Sequence, residues 1–522
     1  MLLLPLLAGG IARACTAPWA CVAVQVTTDA DPFRFLASVS HATDDDGWSI
    51  VVWEAFNADS GVLPEPRGKV LGRRVEADGT LGPVRTLETV DLWDSFVNPR
   101  GHLAVVDGRR NMESWPVSVW VRANEYGNPG LVEDCDDPTV DGCPLSLREL
   151  RVDPAMPASP VLANPLVYVG ALGLLPFDAS EKTAGIHYGL VRERDALPDL
   201  NDDEAAVVWT LQDASIPLND QDQDTLGWEQ ADELVGSSRA TDSTPPWSLT
   251  SWPNLFVRFL ASGPDAQHHG PWDWWDAVAD LDRLAAFVAY DNWAPGPDGV
   301  FGAFFTAQPA PWVVPAIGTV QVGNVARRAS KSSVDALFVT VTEEPRLAVA
   351  VLADHDALSP TDATQVVVTV CADVATGGCA SGVGWEPDLA GALAFSVPDP
   401  ATDLVKAAQV HWVETRTVAG ALRPTLALVV ETKEVAAYGP VKRVWFASKA
   451  CIDLGLPVDW SAGWTSDALF AVADDIDHTV GPVPQGLVDS TTGGSTVSLS
   501  FLEQENDDET IWLARRDLGV CA

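Results

Sequence analysis

The sequence is short of bases. It carries 32 Lys and Arg against 73 acids, for a formal net charge of −41. Such a surface repels nucleic-acid phosphates and anionic membranes, which argues against both as partners. It suits high salt, divalent cations or cationic ligands, or serves solubility alone. Long apolar runs are missing as well. The most apolar stretch, Leu162 to Phe177, holds two prolines and falls short of the ~20 residues a membrane helix needs. There is no CxxC and no Cys/His cluster with zinc spacing, which argues against a structural zinc site. Helical periodicity is scarce, with Ala231 to Leu234 and Trp274 to Ala285 as weak candidates. No GxSxG elbow, P-loop or HExxH occurs. His102 with Arg100, and His411, are candidate bases only by residue type.

What is present is apolar and repetitive. The apolar fraction, 47%, is ample for a buried core, and 21 Trp supply rigid area for packing between sheets. Met1 to Gly10 is short and apolar, and Ala12-Arg13-Ala14 forms a small-x-small cleavage site before Cys15. The expectation is a signal peptide over 1–14 and a secreted or periplasmic protein. A lipidated Cys15 is the alternative, and Arg13 weighs against it. Eight cysteines, an even number, fit an oxidising compartment. Cys135 and Cys143 lie close in sequence, as do Cys371 and Cys379, and each pair is expected to clip a loop. Cys521 is expected to pair with Cys15 or Cys21, leaving Cys451 the remaining partner.

The organising unit is clearest at Trp48 to Thr80. An apolar strand, Trp48-Ser49-Ile50-Val51-Val52-Trp53-Glu54-Ala55, is followed by a polar loop. A second strand, Gly68 to Val75, then closes on a turn, Glu76-Ala77-Asp78-Gly79-Thr80. With strands near Phe33–Ser40 and Val84–Thr89 the unit has four strands, lettered A to D. Later B and C pairs begin at Val117 and Leu145, Ile186 and Ala205, Leu284 and Val300, Leu347 and Gln365, Leu426 and Val441, and Val497 and Thr510. The period, roughly 60–100 residues, exceeds the ~40–50 of common propeller repeats because the loops are long.

The expected fold is an all-β β-propeller of about seven four-stranded blades. It forms a single domain over 15–522 with a long insert near 212–246. Tandem sandwiches are the alternative, but no Ser-, Gly- or Pro-rich linker divides the units. The last unit stops after strand C, and the early strand Ala20–Thr27 has no unit of its own. That strand is expected to close the ring as strand D of the last blade. The Trp48–Glu54 strand and the Val70–Gly82 hairpin resemble the blade repeat of secreted bacterial β-propeller proteins. In those, an LVVWE strand precedes a GQRVDADGTPLG-like hairpin. The resemblance implies a fold and secretion, but no single activity. The sialidase-type Asp-box (S-x-D-x-G-x-T-W) is absent, and so is a clear WD40 signature.

One stretch is dense in groups that bind ligands: His268, His269, Trp272, Asp273, Trp274, Trp275 and Asp276, with Asp291 and Trp293 after the next strand. Trp faces stack on sugar rings or cations, and carboxylates accept hydroxyl hydrogens. Strand alternation puts Trp272, Trp274 and Asp276 on one face, with Asp273 and Trp275 on the other. A packed Trp cluster between blades is the competing reading.

The expected function is a non-catalytic module that binds a glycan, peptide or protein partner at one face. The alternative is a secreted polysaccharide hydrolase or lyase, for which an acidic chain offers many carboxylate pairs and no means of choosing one. Asp220, Asp222 and Asp224 alternate as in calcium loops. The EF-hand pattern fails, with Thr225 at its sixth position and Ala231 at its twelfth, but Gly227 and Asp232 allow a looser calcium loop. If calcium binds there, chelation lowers the melting temperature, because an ion held only by the folded state stabilises it. Equal melts with and without chelator, with no heat of binding, discard the site.

Overall fold

A strand buried on both faces reads as an unbroken apolar run, and the second strand of several repeats is of this kind. In Arg346–Ala353 every residue after Arg346 is buried. Ala348, Ala350 and Leu352 enter one core, while Leu347, Val349, Val351 and Ala353 enter another on the opposite face. Ser49–Phe56 divides in the same way: Ile50 and Val52 point to one side, Val51, Trp53 and Ala55 to the other. So does Thr425–Glu434, with Leu426, Leu428 and Val430 opposed to Ala427 and Val429. Each such sheet is therefore a layer between two neighbours.

A computed structural model describes residues 24–27, 35–56, 68–90, 103–106, 117–124, 145–161, 166–169, 181–187, 190–191, 204–213, 233–240, 257–259, 275–280, 285–292, 299–305, 316–322, 329–337, 346–353, 363–372, 378–379, 381–389, 391–434, 441–473, 488–505 and 508–521. These residues are all-β. Among them the strands form seven sheets of four or five strands and one two-stranded ladder.

Sheet 1 runs Phe35–Thr43, Ser49–Phe56, Gly68–Val75 and Arg85–Val90. Sheet 2 runs Leu103–Val106, Val117–Asn124, Leu145–Val152 and Leu166–Val169. Sheet 3 runs Glu181–His187, Glu204–Asp213, Glu233–Ala240 and Val257–Phe259. Sheet 4 runs Trp275–Asp280, Ala285–Asn292, Gly299–Phe305 and Ala316–Val322, with Leu190–Val191 lying parallel to its first strand. Sheet 5 runs Ala329–Leu337, Arg346–Ala353 and Gln365–Cys371, and both Trp385–Glu386 and Ala392–Ser396 pair with the third strand. Sheet 6 runs Asp403–Val413, Thr425–Glu434, Val441–Lys449 and Thr465–Ala473. Sheet 7 runs Val488–Gly493, Thr496–Glu505 and Asp508–Asp517, and its fourth strand is Val24–Gln25, antiparallel to Leu513 and Trp512.

The first strand of each sheet lies against the first strand of the next, and that of sheet 7 lies against that of sheet 1. Polar ties reinforce the apolar cores at these junctions. Arg515 of sheet 7 donates to the carbonyls of Glu76 (2.7 Å) and Val75 (2.8 Å) in sheet 1. Arg73 of sheet 1 donates back to the Val26 carbonyl. Arg74 repeats the device one step on, reaching the Pro154 carbonyl beyond sheet 2 at 3.3 Å while its guanidinium covers the Trp48 ring.

The turns follow from their residues. In Glu76–Thr80, Gly79 takes φ 86° and donates to the Glu76 carbonyl. The Asp78 carboxylate accepts the Thr80 amide at 2.8 Å, an Asx turn. That bond holds Asp78 below the usual carboxylate range.

Four sequence expectations are corrected. The run Ile186 to Val191 is not a second strand. Glu181–His187 is the first strand of sheet 3, and the chain then crosses so that Leu190–Val191 pairs with Val278 and Ala279 of sheet 4. The third strand of sheet 3, Glu233–Ala240, falls inside the expected insert at 212–246; its Gly-Ser-Ser centre hid the strand pattern. The weak helical segments are strands where described, since Leu234 belongs to Glu233–Ala240 and Trp275–Asp280 opens sheet 4. The fourth correction is covalent. Cys371 is bonded to Cys379, but Cys521 is bonded to Cys451, not to Cys15 or Cys21. After Asp517 the chain turns at Gly519 and runs beside Arg416–Thr417 of sheet 6, which brings Cys521 within a Cα separation of 5.6 Å from Cys451. Cys15, Cys21, Cys135 and Cys143 lie outside the described residues.

A close backbone approach joins sheet 7 to sheet 1. A Cβ on Gly493 would overlap the Asp44 carbonyl oxygen and lie 2.7 Å from that of Thr43. Gly493→Ala is therefore expected to destabilise by about 1–3 kcal/mol, since a rigid backbone must move to admit the methyl group. Thermal melting checks it; an unchanged melt would show that these two turns do not touch.

Candidate functional site

In antiparallel four-stranded sheets the D–A and B–C connections share one end, and the A–B and C–D turns share the other. Of the ligand-binding stretch nominated from sequence, positions 275, 276 and 291 are described, at the first of these ends. His268, His269, Trp272, Asp273, Trp274 and Trp293 lie outside the described residues. So do Asp220, Asp222, Asp224, Arg100 and His102. Trp275 and Asp276 open the first strand of sheet 4, and Asp291 lies near the end of the second. The register pairs Trp275 with Tyr290 and Asp276 with Ala289, so position 291 is two residues from Ala289 along the partner strand. Positions 276 and 291 are thus diagonal neighbours at one end of the sheet, a relation that spans about 7–8 Å between backbones.

Sequence reasoning missed a polar system on the inner strands near the other end. Ser333 and Asp335 of sheet 5 accept the backbone amides of Val410 (3.1 Å) and Trp412 (2.6 Å) in sheet 6. His411 of sheet 6 faces sheet 7, where its Nε2 is 2.6 Å from Ser490 Oγ. Ser490 in turn donates to Gln409 Oε1. At the junction of sheets 7 and 1, His41 is bracketed by Ser498 and Ser500, each at 2.8 Å. Thr43 bridges Ser498 (2.6 Å) to Ser49 (2.7 Å), and Arg515 donates to Ser49 at 2.9 Å. His41, Thr43, Ser49, Ser498 and Ser500 are all buried. The available signal was polar residues two apart on one strand, as in Ser333/Asp335, Gln409/His411 and Ser498/Ser500. Period two puts both members on one face.

These groups fasten the sheets together. A Ser beside a His invites comparison with a nucleophile and its base. Here Ser490 lies between His411 Nε2 and Gln409 Oε1 and ties sheet 7 to sheet 6. Burial pushes Arg515 down to about 10 against the pull of Glu76 and Asp78, and Arg516 to about 10 against that of Asp467. Both remain cations at neutral pH. At the opposite end of sheet 6, Asp403 opens the first strand, buried, and accepts from Arg443 at 2.8 Å. Among the described residues no three His, Cys, Asp or Glu side chains converge on a metal position.

No family model matches the chain. No curated protein matches it either. Solved structures do. A Trypanosoma rangeli sialidase in complex with sialic acid matches at TM-score 0.40 and 12% identity, over 92% of this chain and 60% of the sialidase. The GH93 α-L-arabinofuranosidase of Fusarium graminearum in complex with arabinobiose matches at 0.38 and 8%, over 95% and 97%. The NanB sialidase of Streptococcus pneumoniae matches at 0.35 and 10%, over 95% and 70%. These neighbours are glycoside hydrolases, and on that finding the expectation of a non-catalytic binding module is corrected. At such identities and TM-scores no residue role and no substrate carries over from them.

The inner-strand reading makes a direct prediction. Asp335→Ala removes the acceptor for the buried Trp412 amide and is expected to cost about 1.5–3 kcal/mol, as for hydrogen bonds to a charged group. Thermal melting measures it. A variant as stable as the parent would free Asp335 from this structural role.

Proposed function

We propose that the chain is a glycoside hydrolase acting on polysaccharide outside the cytoplasm. Its seven sheets are read as blades of one ring closed by Val24–Gln25, with the reacting centre at the end where the D–A and B–C connections meet. Contact between successive first strands supports the ring. Two disulfides among the described residues support an oxidising compartment. No helix of the described residues is long and apolar enough to cross a membrane.

The observation that carries the chemical reading is the register of sheet 4, which makes positions 276 and 291 diagonal neighbours beside Trp275. Glycoside hydrolysis needs two carboxyl groups about 5–10 Å apart, one to protonate the leaving oxygen and one to act as base or nucleophile. Asp276 and Asp291 are the proposed pair. Trp274, which strand alternation puts on the face of Asp276, is the proposed stacking surface for a sugar ring. His268, His269, Trp272, Asp273, Trp274 and Trp293 are proposed, on sequence alone, to line the same mouth.

The test is release of reducing ends from a panel of soluble polysaccharides and aryl glycosides. Asp276→Asn and Asp291→Asn are each expected to lower kcat by roughly 10²–10⁴-fold with melting unchanged. Full activity in both variants would remove the pair, and inertness of the parent toward every substrate would remove the hydrolase reading.

A further inference from the structure

The end of the chain leaves its own sheet. After Asp517, Val520–Cys521 crosses to sheet 6 and lies parallel to Arg416–Thr417. A ladder of two residue pairs does not persist unaided. What holds it is the bond from Cys521 to Cys451, just beyond the third strand of sheet 6. Within sheet 7, Leu518 donates to the Ser495 carbonyl at 3.0 Å and Gly519 to Asp517 Oδ1 at 2.8 Å, while Leu518 packs against the core shared with sheet 6 and Cys521 Sγ lies 3.5 Å from the Arg423 carbonyl.

The two disulfides differ in surroundings. Cys371 and Cys379 are both 0% exposed and packed with Trp385 in an apolar core. Cys521 is buried too, but Cys451 is exposed and holds a left-handed backbone, φ 55°, uncommon for a residue with a side chain. Access of an attacking thiolate to a disulfide sulfur governs exchange.

We propose that Cys451–Cys521 is a thiol-sensitive strap that fastens the end of sheet 7 to sheet 6, while Cys371–Cys379 is a permanent core staple. The reductant is a low-molecular-weight dithiol. Its thiolate attacks Cys451 Sγ, the S–S bond breaks, and Cys521 Sγ departs as a thiolate that takes up a proton. The second thiol then displaces Cys451 from the mixed disulfide, which also gains a proton. Two electrons pass to the protein, and the dithiol is oxidised to its cyclic disulfide. Sheet 7 retains Val24–Gln25 on its third strand, so the sheet outlasts the release of the strap.

The experiment is a dithiothreitol titration of the full oxidised chain under native conditions, quenched with iodoacetamide and read by peptide mapping. Cys451 and Cys521 are expected to be alkylated together at concentrations that leave Cys371–Cys379 intact. Amide exchange should then rise in residues 414–422 and 518–521 while Thr425–Glu434 and Thr496–Glu505 stay protected. Tm should fall by roughly 5 °C or more, as for loss of a bond closing a long loop. The paired variant Cys451→Ser with Cys521→Ser should melt with the reduced parent and ignore the reductant. Opening of Cys371–Cys379 first, opening of both bonds only on global unfolding, or release without any change in exchange would each overturn the proposal. If the paired variant fails to fold, the titration of the parent decides alone.

Discussion

Everything in this structure depends on covering both faces of a thin apolar sheet. A four-stranded sheet with alternating side chains from Val, Ile, Leu and Trp has no solvent face to offer. Ser49–Phe56 and Arg346–Ala353 show the consequence, since alternate residues of one strand enter separate cores. Full burial of a side chain such as Leu or Val contributes about 1.5–3 kcal/mol, and only neighbouring sheets supply that cover. No sheet is therefore an independent folding unit, and the order of the sheets in space follows the order of the chain.

Stacking sheets brings inner strands together edge to edge, and their backbone amides then need acceptors. Short polar side chains at alternate positions meet that need. Ser333 and Asp335 receive two amides of the next sheet, and the His41 and His411 systems join sheet 7 to its neighbours through hydroxyl groups. Further out, Arg515 and Arg74 carry out the same task by donating to carbonyls of the following sheet. Unpaired polar groups at such depth are costly, so these residues specify which sheet lies beside which.

The two ends of the sheets have different work. The A–B and C–D end is dense with turns, with two disulfides and with ties between loops, such as Trp460 Nε1 donating to Glu386 Oε2 at 3.1 Å. The other end carries connections that vary in length and composition along the sequence. In sheet 4 the register makes positions 276 and 291 backbone neighbours at that end.

Strand character and turn position were legible in the sequence because each rests on local chemistry. Val and Trp alternate with short polar residues, Asp-x-Gly turns close hairpins, and the unpaired early strand matched the strand missing from the last unit. What only the tertiary structure decided involves partners distant along the chain. Glu233–Ala240 carries too little apolar pattern to announce a strand, and becomes one because Glu204–Asp213 offers an edge with matching register. His411 looked like any isolated histidine until Ser490 and Gln409 were set beside it. Cys521 found Cys451 because the chain crosses to sheet 6 after Gly519, a path set by packing between sheets rather than by spacing between cysteines. Local propensity is written residue by residue, whereas these contacts exist only once the sheets are stacked.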